Sequence, residues 1–112
     1  MVDHRLLIVE DEPTIARSLA RLIHHHCHAL LIDTALTLKD ALEKIAFMKY
    51  DYWLIDYSLP DGTGDELLLE KDLPPIRIGM SGNQIDPAFQ AQFTAFFHKP
   101  FDIASLVVHF HE

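Results

Sequence analysis

An alternation constrains this chain more than any other feature. Five short apolar runs, at residues 5–9, 29–32, 52–55, 76–80 and 95–97, are separated by stretches with helical periodicity. Each run has the length and the bounding residues of a buried strand. The first helix opens at Glu12-Pro13, with proline at the favoured first position, and sets Ile15, Leu19, Leu22, Ile23 and His26 on one face. Thr37 is placed to cap the second, in which Leu38, Ala41, Leu42 and Ile45 recur at helical spacing. A third spans 65–71 and stops before Pro74-Pro75. The fourth, capped by Asp86 before Pro87, covers 86–93 with Phe89 and Phe93 on one side, about two turns. The last starts near Asp102 and carries Ile103, Leu106, Val107 and Phe110. Strands alternating with helices imply right-handed crossovers and a parallel sheet covered on both faces.

Composition narrows the class. A chain of 112 residues suits one domain, 1–112, with no output domain, and should bury roughly 65% of its unfolded surface. The single cysteine, Cys27, excludes an internal disulfide framework and fits a reducing, cytoplasmic setting. A net charge of −8 argues against direct nucleic-acid binding or an anionic membrane partner. No apolar run approaches the ~18 residues of a membrane span, and the first residues lack a signal-peptide core.

In open parallel sheets, function gathers outside the carboxyl ends of the strands. Glu10, Asp11 and Glu12 follow the first run, Asp56 the third, Ser81-Gly82-Asn83 the fourth and His98-Lys99-Pro100-Phe101 the fifth. Any one of these has an ordinary explanation as a helix cap, a turn or a solvated charge. Together they converge on one edge. Crowded carboxylates bind protons or recruit a cation, and an all-oxygen set suits Mg²⁺, with Mn²⁺ as the alternative. Such a site invites phosphoryl oxygens, with Asp56 as a nucleophile and Lys99 and Ser81 serving the transferred group.

These residues resemble the response-regulator receiver domain, the phosphoacceptor module of two-component signalling. The similarity runs through Leu6-Leu7-Ile8-Val9-Glu10-Asp11-Glu12-Pro13, through Asp51 to Gly62, and through Met80-Ser81-Gly82 and His98-Lys99-Pro100-Phe101. It implies a flavodoxin-like (βα)5 sandwich with a five-stranded parallel sheet in the order 2-1-3-4-5. By the same resemblance Asp56 is the phosphoacceptor. Asp11 and Glu10 hold the metal, with Asp11 favoured as direct ligand and Glu10 acting directly or through water. The Ser58 backbone carbonyl is a third ligand beside Asp56. Ser81 and Phe96 are switch residues, Lys99 pairs with the phosphoryl group, and Ser58 and Asn83 tune dephosphorylation. The Lys99-Pro100 bond is expected to be cis. The implied partners are a sensor histidine kinase or histidine phosphotransfer protein upstream, and a protein effector or attached output domain downstream. A phosphorylation-dependent dimer is a further expectation. Such a domain catalyses only its own phosphorylation and dephosphorylation.

The spacing departs from that family. Asp56 to Ser81 spans 25 positions and Ser81 to Lys99 spans 18, so the third and fourth helices are expected to be short. The fifth is expected to end early, at Glu112. Two of these cuts fall on the usual output face. His24, His25, His26 and His28 surround Cys27, and His24/His28 have metal-ligand spacing, although a solvated helix end is the favoured explanation. His98 could influence the site by its charge. Two other functions fit parts of the pattern. A Mg²⁺-dependent phosphatase with an aspartyl nucleophile would need a general acid and usually a cap domain. A non-phosphorylated pseudo-receiver would be expected to lack Asp56, Lys99 or one of the acidic pair, and all are present.

Overall fold

A computed structural model describes residues 4–110. Five parallel strands, β1 (Arg5–Val9), β2 (Leu31–Ala35), β3 (Tyr52–Asp56), β6 (Ile76–Ser81) and β7 (Ala95–His98), form one sheet in the order β2-β1-β3-β6-β7. Counting only the strands of this sheet, that is the order 2-1-3-4-5. Around it lie α1 (Pro13–His26), α2 (Leu38–Phe47), α3 (Pro87–Gln90) and α4 (Ile103–Val107). A small antiparallel hairpin, β4 (Ser58–Leu59) and β5 (Gly62–Thr63), follows β3.

Strand pleating explains the two-sided core. Along β1, Leu6 and Ile8 join a cluster with Leu19, Ile23, Leu54, Ile78 and Leu106. Leu7 and Val9 point the other way, toward Leu38, Ala41, Trp53, Ile55 and Leu67. The central strand β3 is buried at all five positions, as a strand covered on both faces must be. No helix among the described residues is long and apolar enough to cross a membrane.

Several elements differ from the sequence expectation. The second strand lies at 31–35, not 29–32. Cys27 ends α1 and the chain turns, with Leu30 N–H donating to the Cys27 carbonyl. The strand then continues through polar Asp33 and Thr34, which the apolar run omits. Within α1 the buried stripe is Ala16, Leu19 and Ile23, whereas Ile15, Leu22 and His26 are exposed. In α2 the stripe is Leu38 and Ala41; Leu42 is exposed and Ile45 half-buried. The third helix is a 3₁₀ segment, Gly64–Leu69, rather than an α-helix over 65–71. Its Thr63–Glu66 capping box sets the start, and an extended Glu70 ends it. The fourth is one turn, not two, and buries nothing; Phe93 lies beyond it in the core while Phe89 is exposed. The last helix is five residues, capped by Asp102, with Phe110 beyond it still buried; Glu112 lies outside the described residues. All three helices after the hairpin are therefore short.

Candidate functional site

The register of the sheet assembles the site. Ile55 lies beside Val9, and Asp56 beside Met80, so the residues that follow these positions emerge at one edge. Ser81 lies beside His98, and the Lys99 amide donates to the Ser81 carbonyl at 2.8 Å, which carries Lys99 to the same edge. Glu10 stays within the ladder, its amide donating to the Ala35 carbonyl. Glu10 is 1% exposed and Asp56 6%, while Asp11 is open to solvent.

Lys99 is the centre of charge. Its Nζ donates to Asp56 Oδ2 at 2.7 Å and, in a shorter contact, to Glu10 Oε1. The other Glu10 oxygen accepts from the Glu12 amide at 3.1 Å, and Asp56 Oδ1 accepts from the Ser58 amide at 3.1 Å. Burial pushes the Glu10 carboxyl above the usual carboxylate range, although the hydrogen bond from Lys99 opposes this. Burial also works against the Lys99 ammonium, but its hydrogen bonds to Asp56 and Glu10 prevail and leave it above its ordinary value.

Glu10, Asp11 and Asp56 each place a carboxylate oxygen within 4.8 Å of the others. Among the described residues this is the one such group of three, and its donor set is entirely oxygen. Three carboxylates exceed the single neutralising charge of Lys99, so the residues suit a hard divalent cation. A divalent cation would be held by Asp11 and Asp56, with Glu10 alongside.

The remaining predicted residues lie around this centre. Ser81 is buried, and its Oγ accepts from the Asn83 amide at 3.0 Å; Asn83 and Ser58 are exposed. The Ser58 N–H contacts Asp56. Phe96 is half-buried, edge-on to Phe93 and to the exposed His98 at centroid distances of 5.6 and 5.8 Å. Gly79, its ladder partner, leaves it room: a Cβ there would sit 2.5 Å from the ring. The Lys99-Pro100 peptide is cis. The histidines of α1 stay outside the site and on the surface; His24 stacks on His28, whose Nε2 contacts the His25 carbonyl.

Two residues escaped the sequence reading. Asp61, at the tip of the β4–β5 hairpin, accepts hydrogen bonds from the Leu38 and Lys39 amides at 2.8 and 3.0 Å. It caps α2 from outside, alongside Thr37, whose side chain accepts from the Asp40 amide. The Asp61-Gly62 dipeptide was a hairpin signal that could have revealed the turn. Tyr57, next to Asp56, meets the ring of Phe89 at 5.9 Å and so ties the site to α3.

Comparison with known proteins agrees with this architecture. The family model of the response regulator receiver domain matches residues 6–111, and the chain belongs to that family. A CheY-like receiver domain protein from Methanospirillum hungatei is 26% identical, with a TM-score of 0.83 over 96% of this chain and 90% of that one. Another from Methylobacillus flagellatus is 28% identical, with a TM-score of 0.79 over 94% and 93%. Response regulator TrrA from Thermotoga maritima, solved with Mg²⁺ and BeF, shares the fold at 24% identity, with a TM-score of 0.80 over 95% of each chain. No curated protein matches the chain.

Proposed function

We propose that this receiver domain accepts a phosphoryl group on Asp56 from the phosphohistidine of a sensor kinase or histidine phosphotransfer protein. The observation that carries this reading is the contact of the Lys99 ammonium with Asp56, beside the Glu10–Asp11 carboxylates. An Asp56 oxygen attacks phosphorus and forms the new O–P bond. The P–N bond to the donor imidazole breaks, and its electron pair stays on the imidazole nitrogen. Lys99 is free to turn from the carboxylate to an equatorial phosphoryl oxygen, and the Ser81 hydroxyl can donate to another. A Mg²⁺, or Mn²⁺ in its place, supplies charge neutralisation as anions gather. The TrrA relative, crystallised with Mg²⁺ and BeF, supports that choice of cation.

Water then hydrolyses the aspartyl phosphate. Ser58 and Asn83 are small and exposed, so they leave water a path to the site. The chain is thus not an enzyme acting on an external substrate; it catalyses changes to its own phosphorylation. The switch works through Ser81 and Phe96, and its output is control of a protein effector or an attached domain.

Intact mass after incubation with acetyl phosphate and Mg²⁺ tests the reading. Wild type gains one phosphoryl group and Asp56→Asn gains none. Wild type without that gain would overturn the proposal, and rapid multiple turnover of phosphate esters would point to a phosphatase.

A further inference from the structure

The short 3₁₀ segment leaves a groove beside the end of α2. Its volume is about 730 Å³, and Ile45, Met48 and Trp53 lie along it. Two apolar side chains stand out from its rim, Phe47 at 91% exposed and Leu69 at 82%. They are the most exposed large apolar residues among the described ones. One patch therefore carries both knobs and a hole. Such self-complementarity suits an isologous contact, in which the same surface meets itself across a twofold axis.

The charges select the same occupant. Lys49 and Lys71 line the groove together with Glu70 and Asp72, so this patch is neutral in a chain of net charge −8. Elsewhere the acidic excess opposes the approach of a second copy. Here a twofold axis can set the lysines of one copy against the acids of the other. We infer that the α2–3₁₀ groove is a homodimer interface, with Phe47 of each copy seated in the groove of its partner. This surface is separate from the phosphorylation site, so the contact does not need phosphorylated Asp56. Its modest extent sets it among weak, reversible associations, of roughly micromolar strength.

Sedimentation velocity on the full chain, from about 1 to about 500 µM, tests this range. Wild type and Asp56→Asn should both show a concentration-dependent dimer. Phe47→Glu should weaken it at least tenfold, with an unchanged circular dichroism spectrum because Phe47 is outside the core. Lys71→Glu should weaken it too, and Lys71→Glu with Glu70→Lys should restore it. The chain's one tryptophan, Trp53, gives a second readout. Its emission should change on dilution in wild type but not in Phe47→Glu. A wild-type chain that remains monomeric throughout, or a dimer indifferent to Phe47→Glu, would overturn the inference. So would a groove that takes up an apolar dye while the chain stays monomeric.

Discussion

At the residue scale, Lys99 and Asp61 show two ways a charge can organise this fold. Lys99 neutralises two buried or nearly buried carboxylates and keeps them together at the sheet edge. A divalent cation would share that role, so binding should stabilise the fold by mass action, by about 2.7 kcal/mol at a hundredfold excess over Kd. Thermal melts with increasing Mg²⁺ should therefore rise, return on chelation and lose most of the rise in Asp11→Asn. Asp61 acts at a distance. The Leu38 and Lys39 amides, the largest influences on its carboxyl, hold it below the usual value of 3.8. Because its folded value is depressed, its contribution is present above 3.8 and is lost as pH falls through the folded value. Wild type should exceed Asp61→Ala in stability by a constant margin near neutrality, and urea melts taken at falling pH should show the two converging.

At the scale of elements, the sheet was the most legible part of the sequence and the segments after the hairpin the least. β1 and β3 read directly because buried parallel strands are nearly continuous apolar runs. β2 read poorly because it is an edge strand: Asp33 and Thr34 break its apolar pattern although both lie within the ladder. Asp33 is held there by the Tyr50 hydroxyl at 2.7 Å, from a residue 17 positions away that no local pattern connects to it. The strand-end acids and Lys99 were visible as types and spacings, but the double engagement of Lys99 was not, since it depends on side chains 43 and 89 positions distant. β6 and β7 offer a sharper test. Gly79→Ala would place a Cβ 2.5 Å from Phe96, so overpacking should cost about 1–3 kcal/mol and turn the ring. Urea denaturation and the Phe96 ring resonances would report the two effects separately.

For the whole molecule, the short α3 has a consequence for time as much as for shape. It buries no side chain of its own and meets the loop after Asp56 through the ring contact of Tyr57 with Phe89. Opening such a turn disrupts little, so its amides should exchange with solvent orders of magnitude faster than those of β3. Hydrogen exchange read residue by residue should show this gradient, and Tyr57→Ala should steepen it while leaving β3 unchanged. The central sheet then keeps a slow clock and α3 a fast one. A partner that reads α3 would meet a surface already sampling several arrangements before any phosphoryl group arrives. For such a partner, phosphorylation would adjust how long each arrangement lasts, and the signal would be a dwell time.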